Sequence, residues 1–402
     1  MAAAPAPAPV TAAPSALAAL LPIVTAMFVA WLVIGVALPV LPLHVHQGLG
    51  YGAFMVGLVT GAQFTASLLS RIWSGNYADR HGGRRNVVIG LVIATSAGLA
   101  YLVSLQLVAT PVASFAILLL GRAVLGIAES FIVTGVLTWG VATAGTQHTG
   151  MVMSWTGIAM YVALAVGAPL GSALYDAFGF VATALTTTLV PLVPLVALLF
   201  VVARPTAATA PARPRASVMM VVRSIWVPGL GLAASAVGFG AITTFVVLLF
   251  EQHHWGQAWL AFTVVSVTFA GARIVFGHLP DRIGGARVAL LFVLIEAAGQ
   301  ACIWLAPSPA LALLGAGLTG LGYSLVYPSF GVEAVRRVPP ENRGLAMGTF
   351  TAFLDLALGI AGPSLGLVAS VLGLNAVFLA STLVVLCAVP VALSLLRAAS
   401  TR

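Results

Sequence analysis

Apolar residues run through this chain in blocks of about twenty to thirty, broken by short polar turns. A bilayer core needs about twenty apolar residues per helical crossing, and at that length the blocks predict twelve helices. They fall at residues 17–43, 53–74, 86–108, 111–139, 150–173 and 181–203, then 227–250, 257–277, 287–306, 310–335, 344–371 and 375–396. Residues 204–223, rich in Pro, Ala and Arg, form the only polar stretch long enough to be a linker. The chain therefore divides into an Ala/Pro-rich tail at 1–16, six helices in 17–203, the linker at 204–223, and six helices in 224–402. The tail is expected to be disordered. It lacks the basic segment of a signal peptide, so no cleavage is expected.

Composition agrees with lipid as the main solvent. Hydrophobic residues make up 61% of the chain and charged residues 6%, against about 25% charged in soluble domains. The two cysteines, Cys302 and Cys387, both sit in apolar blocks, so disulfides are not the framework. The net charge of +8 is carried without any lysine. Sixteen of the 17 arginines fall on the even-numbered turns, the linker and the C-terminal end, while the odd turns hold His44, His46, Asp176, Glu251, His253 and His254. By the positive-inside rule both termini and the even turns face the cytoplasm. The basic charge then reads topology and meets anionic lipid headgroups; nucleic acid is not implied.

One stretch occurs twice. Residues 71–85 (RIWSGNYADRHGGRR) recur at 273–287 (RIVFGHLPDRIGGAR), an offset of 202 with eight of fifteen positions identical. Gly75, Asp79, Arg80, Gly82, Arg84 and Arg85 find counterparts in Gly277, Asp281, Arg282, Gly284 and Arg287, with Ala286 opposite Arg84. Two like halves of this kind are the mark of a transporter built by parallel duplication. The spacing resembles the loop 2–3 signature of the major facilitator superfamily. That resemblance covers residues 17–396 and implies an all-α membrane protein, with twelve transmembrane helices in two pseudo-symmetric six-helix bundles. It also implies alternating access, a conformational role for the repeated motif, and a monomer in the bacterial inner membrane.

A second repeat, offset by 194, relates the fourth and fifth helices to the tenth and eleventh: Gly121, Gly126 and Ser130 match Gly315, Gly320 and Ser324, and Pro169 matches Pro363. It also shows where the halves differ. Arg122 stands opposite Ala316, Glu129 opposite Tyr323, and Asp355 opposite Tyr161. A charge inside a spanning helix costs several kcal/mol unless it faces a cavity or a partner. Arg122, about 16 Å into the fourth helix, and Glu129, about 10 Å further along the same face, together with Asp355 are the candidates for proton coupling. Their alternative role is interhelical ion pairing.

Gly121-Arg122-x-x-x-Gly126 resembles the fourth-helix motif of facilitator-superfamily proton antiporters, which implies that Arg122 serves proton coupling. Gly167 and Pro169, and Gly362 and Pro363, are similar in part to the Gly-Pro bend of exporters; close helix packing is their plainer reading. Trp31, Gln63, Tyr161, Tyr323 and Tyr327 are candidates for the cavity wall. Glu296 lies mid-helix without an evident task, and Glu333 is placed to pair with arginines at the helix end. The paired histidines lack a converging third ligand, so no metal is expected. No nucleophile elbow or phosphate loop is present, which leaves no enzyme, cofactor or ATP site to propose.

Stretches such as Leu38–His46 and Asn342–Met347 resemble bacterial arabinose-efflux-like permeases, within the drug:proton antiporters. The resemblance implies efflux of a small organic solute or drug by proton-coupled antiport. Proton symport or facilitated uptake of a sugar or organic acid is the alternative within transport, and a membrane receptor or scaffold the alternative outside it. Glu129 is expected to carry the proton, with Asp355 either its substitute or an anchor for a cationic solute.

Overall fold

The computed structural model describes residues 16–145, 148–200, 217–339 and 342–400. The expected tail and most of the expected linker lie outside the described residues. Among the described residues twelve helices are long and apolar enough to cross a membrane, and no strand occurs. The first half holds α1 (Ala16–Leu43), α2 (Ala53–His81), α3 (Gly83–Gln106), α4 (Pro111–Ala144), α5 (Thr149–Phe178) and α6, which runs in two pieces, Phe180–Leu189 and Leu192–Phe200. The second half holds α7 (Val218–Gln252), α8 (Trp259–Phe276), α9 (Gly285–Trp304), α10 (Pro309–Val335), α11 (Arg343–Leu372) and α12, again in two pieces, Leu374–Leu386 and Ala388–Ser400.

Helix ends depart from the sequence reading mainly at the repeated motif. It is helix rather than loop: α2 continues to His81. The reversal into α3 is made by Gly82 alone, at φ +86°, and Gly284 makes the equivalent turn at φ +94°. Only glycine adopts that backbone without strain. At 29 residues α2 is about 43 Å long, so its last turns carry Asp79 and Arg80 out of the apolar slab. The second copy differs: α8 stops at Phe276, and Pro280 and Asp281 sit in a separate short helix, Leu279–Ile283. Further along, α7 begins at Val218, inside the stretch expected to be linker, so Arg223 is an exposed residue of that helix.

Packing divides the molecule by depth. One face carries Arg80, Arg85, Arg282 and Arg287, the other His44, His46, His253 and His254. Toward the histidine face a single buried apolar cluster draws on both halves, including Val45 and Val56 from the first and Phe245, Phe250 and Leu365 from the second. Toward the arginine face the two clusters are separate. One contains only first-half residues such as Leu20 and Val136, the other only second-half residues such as Ile225 and Phe330. The bundles are therefore sealed at the histidine face and parted at the arginine face, with a smaller shared cluster between.

Candidate functional site

Glycine spacing places the fourth helix. A side chain at Gly126 would fall on the backbone carbonyl of Gln63, and one at Gly121 on the ring of Tyr101. Bare backbone at these two positions lets α4 press against α2 and α3. The second half repeats the contact, with Gly320 against Val265, the position equivalent to Gln63. This approach brings Glu129, one turn beyond Gly126, to the Gln63 amide, whose Nε2 donates to Glu129 Oε2 at 2.7 Å.

A central cavity of about 120 Å³ lies at this depth between the halves. Arg122, Glu129 and Asp355 all line it, as do Trp31, Gln63, Tyr161 and Tyr323. Tyr327 does not. Its hydroxyl turns to Thr351 on α11 at 2.8 Å, and Thr351 takes the place on the wall. The remaining wall is apolar or aromatic, with Phe64, Phe239 and Leu358 prominent. Phe239 stacks on Tyr323 at 5.2 Å between centroids, and Tyr161 on Phe269 at 3.4 Å.

The cavity holds a fourth charge that the sequence reading left in a turn. Arg71 lies ten residues inside the end of α2, about 15 Å from it, and lines the cavity. Its Nε donates to Asp355 Oδ2 at 2.7 Å and Nη2 engages the same oxygen. This ion pair joins α2 of the first half to α11 of the second. Asp355 is 3% exposed and already has its cation, so it is not free to anchor a cationic solute. Arg273, equivalent to Arg71, is also within its helix rather than in a turn, and its guanidinium sits 5.4 Å from the Phe269 ring centre. The arginine engaging a cavity carboxylate is thus Arg71. Among the described residues no ion pair joins Glu129 to Arg122, despite their shared helix.

The other singled-out residues lie elsewhere. Gly362 meets Gly57 backbone to backbone across the halves, Pro363 abuts Gly61, and Gly167 meets Gly35 within the first half. Arg84 donates to the carbonyl of Leu198, while Asp79, Arg80, Arg85, Asp281, Arg282 and Arg287 are exposed on the arginine face. Gly75 and Gly277 stand near the ends of α2 and α8. Glu333 pairs with Arg336 at 3.6 Å and Arg337 at 3.3 Å, as its position suggested. Glu296 is fully buried within the second half, held by Ser235 and away from the cavity wall.

A family model described as Major Facilitator Superfamily matches residues 23–279 and 256–402, which together take in nearly the whole chain. The chain belongs to the major facilitator superfamily. Relatives include the uncharacterized MFS-type transporter STM4428 of Salmonella typhimurium, 45% identical across 88% of this chain and 90% of that one. Another is the uncharacterized MFS-type transporter YhhS of Escherichia coli, 41% identical across 88% and 86%. Among solved structures, a bacterial homologue of the human lysosomal transporter Spinster, in an inward-facing and unoccupied conformation, matches with TM-score 0.76. It shares 15% identity over 96% of this chain and 97% of that one. A point mutant of the nucleoside transporter NupG matches with TM-score 0.71 at 15% identity, over 94% and 99%. The fold is therefore the twelve-helix fold of this superfamily, and the protein is a multi-pass transporter of the bacterial inner membrane.

Proposed function

We propose that this transporter exports a small organic solute in exchange for protons, working as a monomer by alternating access, with Glu129 as the proton carrier. The observation that carries the reading is the Gln63–Glu129 pair. Glu129 is the cavity carboxylate whose partner is a neutral amide, and Gln63 Oε1 is buried without a donor. A proton on the second oxygen of Glu129 supplies that missing donor, closing an acid–amide ring of two hydrogen bonds. Ionised, Glu129 leaves Gln63 Oε1 facing negative charge in a poorly solvated site. The pair therefore holds a proton here and sheds it when α2 and α4 separate or water enters.

Orientation follows from the arginines: their face is cytoplasmic by the positive-inside rule. The halves then part toward the cytoplasm and seal outside, the state in which a proton leaves inward and solute loads. In the alternate state the Gly57–Gly362 seam opens and Glu129 meets the outside. Arg71 and Asp355, joined across the halves, are poised to report and stabilise one of the two states. In proteoliposomes Glu129→Gln should lose concentrative flux under an imposed pH gradient yet keep solute counterflow. Accumulation against a gradient at the wild-type rate by that variant overturns the assignment.

A further inference from the structure

The cavity's charges are not all spent within the protein. Arg71 is satisfied by Asp355, and Glu129 by Gln63. The hydroxyls of Thr60, Thr243 and Thr351 each donate to the carbonyl four residues back in their own helix. Arg122 remains. It is 2% exposed and lines the cavity, and its Nε and Nη1 have no acceptor. Its neighbour Tyr101 lies close enough to interact with it, but a phenol supplies no opposite charge. A guanidinium stays charged at any physiological pH and presents its donors as a planar fork that fits a carboxylate. A buried charge left without an opposite charge is strongly unfavourable.

We propose that the transported solute is an organic anion: its carboxylate docks on Arg122, and a flat or apolar body lies between the aromatic walls. Resting on the transport reading above, this names the substrate class at the same cavity. Trp31, Phe64, Tyr161, Phe239 and Tyr323 supply the apolar surface. A cationic solute finds no free carboxylate of comparable standing, because Asp355 is bound to Arg71 and Glu129 carries the proton.

The test uses three probes of nearly one shape: benzoate, benzamide and benzamidine, which are anionic, neutral and cationic. Each is titrated into purified full-length protein without any gradient, and binding is followed by thermal shift and by tryptophan fluorescence, Trp31 being on the wall. Benzoate should bind most tightly and benzamidine most weakly. Arg122→Gln should raise the benzoate Kd about 30-fold or more, about 30-fold being the lower end of the loss when one partner of a buried charge pair is truncated, and Arg122→Lys should keep part of the preference. Glu129→Gln should keep the order of the three. Equal binding of all three, preference for benzamidine, no response to benzoate, or a benzoate Kd unmoved in Arg122→Gln each overturns the proposal. Because these titrations involve no proton gradient, they fail independently of the coupling assignment: an uncoupled Glu129→Gln with no benzoate binding defeats the anion alone, and benzoate binding with gradient-insensitive flux defeats the coupling alone.

Discussion

Two seams join the halves, and duplication makes them equivalents: α2 against α11, and α5 against α8. They are built differently. In the first, Gly57 and Gly61 face Gly359, Gly362 and Pro363 so closely that backbone touches backbone, and Gly366 rests on Ala53. Deeper along the same seam sits the Arg71–Asp355 pair. In the second, Thr263 Oγ1 donates to the carbonyl of Ala165 at 3.1 Å, Tyr161 stacks on Phe269, and Arg273 lies over that ring. The duplicated cation survives in both seams. Its partner does not: a carboxylate at 355 became a phenol at 161, and the attraction became one of quadrupole and dispersion. An ion pair at membrane depth depends on charge and water access; an aromatic stack does so far less. The expectation is that charge movement unlocks the first seam, while the second holds as the hinge-like side.

The sharpest way to break this comparison is steric. A side chain at Gly362 would overlap the Gly57 carbonyl, and no rotamer relieves a clash made by Cβ. Gly362→Val should abolish transport and hold the histidine face open. A single cysteine at Leu365, in a background with Cys302 and Cys387 changed to serine, should turn from protected to readily labelled by a membrane-impermeant maleimide. Gly271→Val on α8, where an added Cβ meets nothing within 4 Å, should label and transport as the parent does. Equal loss in both variants would mean that α8 seals the outer face as tightly as α2.

Next in size is the ion pair. Asp355→Asn keeps the shape but leaves Arg71 buried without its anion, a loss of about 3 kcal/mol or more for this conformation, which exceeds a hundredfold in population. The unfolding midpoint should fall and turnover with it. The equivalent change, Tyr161→Phe, removes a hydroxyl and keeps the stack, so its midpoint should move little. Replacing the whole pair by Arg71→Met with Asp355→Leu should restore the midpoint without restoring turnover. Recovery of turnover in that double variant would reduce the pair to packing.

The seams also show what could be read from the chain alone. Twelve apolar blocks and two internal repeats were plain, because lipid imposes length and duplication preserves spacing. Arg122, Glu129 and Asp355 stood out because one copy carries charge where the other does not. Arg71 escaped for the opposite reason: both copies have it, and its nearness to the motif placed it in a turn. A signal was present in the register Thr60, Gln63, Ser67, Arg71 and Ser74, a polar stripe at three- to four-residue spacing on one face of α2. Its partner, 284 positions away, is a tertiary fact that no local pattern encodes. Tyr327 failed similarly: it shares a helix face with Tyr323 by spacing, yet Thr351 turns its hydroxyl aside.

The two copies of the repeated motif sharpen the same asymmetry. Asp79 rides the last turn of an unbroken α2, so displacement of that helix carries it bodily across the arginine face. Asp281 sits in a short helix separated from α8, which weakens any such transmission. Asp79→Asn should slow turnover severalfold and raise cytoplasmic labelling of cavity cysteines while expression is unchanged. Asp281→Asn should do so less. Identical effects would show that helix continuity is irrelevant to the motif.

The smallest effect is expected at Thr263, and it sets the scale for the others. Its hydroxyl makes one hydrogen bond to the Ala165 carbonyl, and valine replaces it with the same volume. Hydrogen bonds between membrane helices contribute about 0.6 kcal/mol on average, because separated helices in the bilayer also find partners for their polar groups. That amounts to close to threefold in an equilibrium between two states. Thr263→Val should therefore shift the ratio of inward to outward labelling by no more than that, in the direction of looser α5–α8 contact, with near-parental turnover. If it instead matches Asp355→Asn, the α5–α8 seam depends on a single polar contact as much as its partner depends on charge. The mechanical division between a charge-latched seam and a persistent one would then fail, whatever the cavity binds.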